Sequence, residues 1–125
     1  MGKITRVNVA KEIIDIRRDL SVSTRLRKPG PPERIDGMTI GIVVIDPKQA
    51  SPHAGEVHPD GDEILLVISG RIRVIGESDP ENGLELGAGE MCIVEKGEWH
   101  LLQTLEAGQH IHITPGPRGD YRRIH

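Results

Sequence analysis

Glu56 and His58 stand two residues apart in the run Glu56-Val57-His58-Pro59-Asp60-Gly61-Asp62-Glu63. On an extended segment that spacing turns both side chains to one face. Glu63 opens the next apolar run, Ile64-Leu65-Leu66-Val67-Ile68, and can swing back beside them after the turn. A neutral imidazole with carboxylates on one inner face is the donor set that a first-row divalent metal needs. A further ligand has to come from elsewhere in the chain. His100, just beyond the Lys96-Gly97 turn and entering another strand-like run, is the best placed.

These residues resemble the two motifs of the cupin superfamily. The first cupin motif reads His-x-His, three or four residues, Glu, six residues, Gly; here Glu56-x-His58 is followed at those spacings by Glu63 and Gly70. The second reads Gly, five residues, Pro-x-Gly, two residues, His, three residues, Asn; Gly89, Gly97 and His100 match it. The motifs cover about residues 55–104, and the flanking strands carry the resemblance over most of the chain after residue 38. The resemblance implies an all-β fold, a small double-stranded β-helix or jelly-roll barrel with a metal at its mouth, and a homodimer. The ion would be a divalent transition metal: Fe, Mn, Zn, Ni or Cu.

Three positions depart from the pattern. Glu95 and Thr104 replace the Pro and the terminal Asn of the second motif and bear on structure more than chemistry. Glu56 takes the place of the leading His and changes the ligand set. If it binds, Glu56, His58, Glu63 and His100 offer two imidazoles and two carboxylates. If it does not, His58, Glu63 and His100 form a two-His, one-carboxylate triad of the kind found with Fe(II) oxygenases, and Glu56 becomes a general base beside the ion. The opposing reading is a cupin that has lost its metal, with Glu56 an exposed hairpin residue next to Gly55. Against it, two carboxylates kept inside a barrel with no ion would repel each other.

His110-Ile111-His112 puts two imidazoles on one face of the last clear strand. In a cupin-like barrel that strand passes near the metal, so His112 is a candidate catalytic residue, as a base or a hydrogen-bond partner of the substrate. In the alternative, Ile111 and Ile113 face the core and both histidines face solvent or a partner subunit. His53 replaces the missing motif His only if a bulge turns it to the same face as His58. Arg25 and Arg27 either carry surface charge or project into the barrel mouth to bind a carboxylate. Arg71 and Arg73 alternate with Ile72 and Val74 and read as a solvated face, Trp99 points away from His100, and Cys92 reads as a small buried hydrophobe.

The elements that must position these groups are strands. The chain has 125 residues, one domain's worth. Its 36% apolar content is carried by Ile, Val and Leu, with no Phe, one Trp and one Tyr, and it has 15 Gly and 9 Pro. That β-branched, breaker-rich composition favours short strands joined by turns. Strands are expected at 3–9, at 38–46 and 56–58, at 63–68 and 71–75 as a hairpin around Ser69-Gly70, and at 90–95, 99–104 and 109–114. Residues 21–28 alternate roughly. Ile13, Ile16 and Leu20 recur at helical spacing, so residues 10–20 read as a short helix or turn. Residues 1–37 form an N-terminal arm region, 38–114 the barrel core, and 115–125 a flexible or interface tail.

A net charge of −3 argues against nucleic-acid and anionic-membrane partners. No run approaches the roughly 20 apolar residues of a membrane helix, and a lone cysteine forms no internal disulfide, so a cytoplasmic setting is expected. The leading functional reading is a metal-dependent enzyme on a small chelating carboxylate or carbonyl substrate. The metal acts as Lewis acid while Glu56 or a nearby His moves a proton. The chemistry is either Fe(II)/O2 cleavage or redox-neutral lyase or isomerase chemistry. The rival is a non-catalytic module that binds a small molecule.

Overall fold

A computed structural model describes residues 2–49 and 54–122. It consists of β1 (Glu12–Arg17), β2 (Val22–Leu26), β3 (Gly37–Ile45), β4 (Glu56–Val57), β5 (Glu63–Gly76), β6 (Leu84–Gly87), β7 (Met91–Val94), β8 (His100–Pro115) and β9 (Asp120–Tyr121), with no helix among the described residues. All pairings are antiparallel. One layer runs β2-β1-β3, then the second half of β8, the first half of β5, and β7. The other runs β9-β4, then the first half of β8, the second half of β5, and β6.

Leu65 and Val67 from the first layer pack with Ile72, Val74 and Leu86 from the second, and Ile45 and Val94 complete the core. Cys92 is partly buried against it, as a small hydrophobe. Arg71 and Arg73 keep to the side opposite buried Ile72 and Val74. This is the jelly-roll barrel that the resemblance implied.

Four expectations are corrected. Residues 10–20 hold no helix: β1 buries Ile13 and Asp15 and leaves Ile14 and Ile16 less covered, a period of two imposed by pairing on both edges. Residues 3–9 form no strand. The hairpin at Ser69-Gly70 is absent, because β5, of 14 residues, continues through it alongside the 16-residue β8. The flexible alternative for the tail does not hold for its described residues, 115–122, where β9 pairs with β4.

The Ser69-Gly70 signal marks a corner where β5 passes from one layer to the other. The register with β8 shifts between Val67 and Ile72, and Gly70 takes φ of +79°. A Cβ on facing Gly108 would lie 2.1 Å from the Ser69 carbonyl oxygen. Bulges and glycines of this sort let a strand switch sheets.

Candidate metal centre

Strand pairing assembles the site. Glu56 on β4 is registered against His100, the first residue of β8. His58 follows β4 directly, and its carbonyl accepts a 3.0 Å hydrogen bond from the Gly97 amide, tying it to the turn before His100. Glu63 opens β5 facing inward. The four residues present donor atoms that all lie within 4.8 Å of one another.

His58 Nε2 is 3.4 Å from Glu56 Oε1 and 3.3 Å from Glu63 Oε2, while His100 Nε2 is 3.3 Å from Glu56 Oε1 and 3.0 Å from Glu63 Oε1. Metal–ligand bonds of about 2.1 Å imply donor–donor edges of about 3.4 Å in a tetrahedron and about 3.0 Å in an octahedron. The four His–Glu separations therefore match the edges of a coordination shell.

Its hydrogen bonding agrees. His100 Nδ1 lies 3.0 Å from the Glu98 carbonyl, which can only accept, so Nδ1 donates there and Nε2 is the nitrogen that faces the two carboxylates. His58 is buried, and neither ring nitrogen has a hydrogen-bond partner. A cation among these atoms would take the place of the imidazole protons between the His nitrogens and the carboxylates, so the residues fit a divalent metal.

A second layer of contacts was not legible as a motif. Thr114 donates to Glu63 Oε2 at 2.6 Å. Its one proton being spent, the 2.9 Å contact to His112 Nδ1 has the imidazole donating and leaves His112 Nε2 as an acceptor. The reading that turned His110 and His112 to solvent or a partner is corrected. His110 is buried, both line the same cavity as Glu56 and Glu63, and β8 needs that inward face because Ile111 and Ile113 lie on the other.

Burial would lower the His58 and His100 pKa values, but the adjacent Glu56 and Glu63 carboxylates outweigh it and raise them from 6.5 to about 9 and about 10. Burial would raise Glu63, and the two imidazoles instead pull it from 4.5 down to about 2. Burial, aided by Arg34, lowers His112 to about 4; burial lowers His110 as well.

The cavity bordered by Glu56 and Glu63 has a volume of about 850 Å3. Arg25 and Arg27 both line it, and each guanidinium is partly engaged by the protein. Arg25 is held by Asp15 at 2.8 and 3.2 Å and by the Glu33 carbonyl, and Arg27 by the Ile42 and Val9 carbonyls. Trp99 lies under the Arg122 guanidinium, 4.1 Å from its ring centre, outside the cluster. His53 and His125 fall outside the described residues.

The family model for the cupin domain matches residues 41–109, more than half of the chain. The chain belongs to the cupin family. No curated protein matches it by sequence. Solved structures share the cupin's fold at low identity. An uncharacterized conserved protein with a double-stranded β-helix domain from Klebsiella pneumoniae subsp. pneumoniae MGH 78578 is 21% identical, with a TM-score of 0.56 over 78% of this chain and 90% of that one. The oxalate decarboxylase of Bacillus subtilis, a protein with Mn(II) centres, is 18% identical (TM-score 0.54) over 67% of this chain and 23% of its own. A DMSP lyase of Ruegeria pomeroyi DSS-3 is 17% identical (TM-score 0.54) over 69% and 43%. This cupin thus spans less than half the length of either enzyme.

Proposed function

We propose that this cupin is a metal-dependent enzyme acting on a small substrate that offers carboxylate or carbonyl oxygens. His58, Glu63 and His100, with Glu56 as fourth donor, would hold one divalent ion drawn from Fe, Mn, Zn, Ni and Cu. The observation that carries this reading is the convergence of two imidazole nitrogens on two carboxylates, with His58 lacking any other partner. Solved cupins of the same fold that include an oxalate decarboxylase with Mn(II) centres and a DMSP lyase support it.

A bound ion supplies Lewis acidity toward a substrate oxygen. The protein's own part is divided among four residues. Thr114 fixes the orientation of Glu63, and His112, neutral at pH 7, offers an acceptor nitrogen to a substrate hydroxyl or amide. Glu56 is 21% exposed where Glu63 is 2%. It is the carboxylate open to the cavity and the one placed to take a proton from the substrate.

Glu56→Gln tests this division. The amide oxygen can still reach the ion but no longer accepts a proton at pH 7. At saturating metal the variant is expected to stay loaded while turnover on a panel of small keto- and hydroxy-acids falls about 10²–10⁴-fold. Turnover within a few-fold of wild type would remove the proton-transfer role, and failure to load at any metal concentration would make Glu56 a ligand only.

One observation favours a non-catalytic small-molecule-binding module instead. With both imidazoles protonated, the two His and two Glu side chains neutralise one another with no ion. Absence of metal after reconstitution, together with retained ligand binding, would decide for it.

We also propose that the cupin is a homodimer built on the outer face of its first layer. Ile93, Ile64, Ile113, Ile40 and Ile14 form one cross-strand row over five strands, on the side away from the cavity. At about 4.8 Å per strand the row is about 24 Å wide. An apolar band of that width covers several hundred Å2 over a few residues' height, which soluble monomers seldom leave uncovered. Ile93 is 67% exposed, so Ile93→Lys is tolerated by a lone subunit and is expected to convert dimer to monomer in sedimentation velocity. A wild type that sediments as a monomer at about 10 μM would refute the dimer.

A further inference from the structure

Among the described residues that line the cavity, Arg34 is the arginine with no hydrogen-bond acceptor. Its Nη1 is buried without a hydrogen-bond partner, and it makes no ion pair among the described residues. Arg25 and Arg27, on the same wall, each already bond protein acceptors, Arg25 through Nε and Nη2 and Arg27 through Nη1. A buried guanidinium without acceptors is costly to keep. Burial does press against its charge, with Glu56 and Glu63 near enough to oppose that.

Its backbone is held in place. Residues 29–32 read Pro-Gly-Pro-Pro, and the Gly116 amide donates to the Gly37 carbonyl at 3.0 Å. A Cβ on Gly116 would stand 2.6 Å from Arg34 Cβ and 2.4 Å from the Ile35 carbonyl oxygen, so the end of β8 packs directly against this segment. The guanidinium is therefore presented to the cavity by a braced segment. Around it the walls are aliphatic: Ile13, Val43, Leu65, Ile72 and Leu102.

We propose that Arg34 is the anion anchor of this cavity and that the ligand is an aliphatic monocarboxylate, its carboxylate on Arg34 and its chain along those walls. A guanidinium matches the two oxygens of a carboxylate in one plane. Glu56 and Glu63 on the same cavity penalise a dianion such as a phosphate monoester. A volume of about 850 Å3 lies toward the upper end for small-molecule sites and far exceeds the needs of a two-carbon acid. The inference rests on the proposed function for the cavity being a substrate site, but requires no bound ion.

The test is titration calorimetry on the metal-free full-length protein with octanoate, its neutral twin 1-octanol, and acetate. Octanoate is expected to bind at least about 10-fold tighter than 1-octanol and far tighter than acetate. Arg34→Gln should weaken octanoate about 10- to 100-fold and leave 1-octanol unchanged. Equal octanoate affinity in wild type and Arg34→Gln overturns the anchor, as does equal affinity of wild type for octanoate and 1-octanol. That second comparison decides even if the variant fails to fold. Metal uptake measured on the same samples separates the two readings. Arg34→Gln that loads metal normally but loses octanoate supports the anchor, while wild type that binds octanoate but never loads metal refutes the metal enzyme alone.

Discussion

His58→Ala is expected to leave the cupin without metal. Elemental mass spectrometry should find close to one equivalent of a transition metal in wild type and less than about a tenth of that in the variant. His58 is buried, sits 3.3–3.4 Å from both carboxylates, and has no partner that would keep it there for another purpose. Its loss removes one of only two nitrogen donors and leaves Glu56 and Glu63 with a single imidazole between them. Two carboxylates and one imidazole remain a weak oxygen-rich site, so the fall in affinity should be at least about 100-fold. Equal metal in both proteins would place the ion elsewhere. No metal in either, after reconstitution with Fe, Mn, Ni, Zn and Cu in turn, would sink the enzyme reading and leave the binding module.

The second large effect is on stability against pH, and it differs between the metal-free and loaded protein. In the metal-free cupin His58 and His100 titrate at about 9 and about 10, above their ordinary 6.5. The stability they contribute is complete below pH 6.5 and is lost as pH rises through those values. Glu63, lowered from 4.5 to about 2, contributes stability that is present above pH 4.5 and lost as pH falls toward 2.

His112, lowered to about 4, and His110, also lowered, cost stability as pH falls below 6.5, so metal-free protein should melt highest near pH 6.5. One pKa unit corresponds to about 1.4 kcal/mol, so two raised imidazoles amount to several kcal/mol, and the melting temperature should drop by about 10 °C or more by pH 10. Saturating metal reverses the trend above pH 6.5, because the ion takes the place of the two protons and binds better as they leave. Thermal melts in chelator and in metal from pH 4 to 10 read this directly. A metal-free melting temperature that stays flat between pH 6.5 and 10 would show that the imidazoles are neutral and the cluster is not an ion-pair network.

The four cluster residues were legible in the sequence because three of them lie within eight positions, on either side of one turn. Alternation along an extended segment is a local property, and it put Glu56 and His58 on one face before any fold was known. His100 could be added because it follows a glycine turn at the head of a strand. The apolar runs of β3, β5, β7 and β8 were visible for the same reason: β-branched residues in short runs between Gly and Pro report on the chain's own backbone.

What escaped the sequence depends on contacts between distant strands. Ser69-Gly70 carries the same residues whether the chain reverses or turns a corner, and only the presence of β8 alongside decides for the corner. The helical spacing of Ile13, Ile16 and Leu20 yielded to a strand because two neighbours offered hydrogen bonds to both of its edges. Thr114 meets Glu63 across 51 residues of chain and links it to His112, and no spacing rule connects them.

Arg25, Arg27 and Arg34 look alike in the sequence. Their difference lies in which carbonyls and carboxylates the folded chain brings to each: Arg25 finds Asp15, Arg27 finds the Ile42 carbonyl, and Arg34 Nη1 finds none. Local periodicity and residue chemistry thus determined the donor set and the all-β class. Long-range pairing decided the sheet corners, the orientation of His110 and His112, and the one cavity arginine left without an acceptor, because hydrogen-bond satisfaction of a buried group is a property of its neighbours in space.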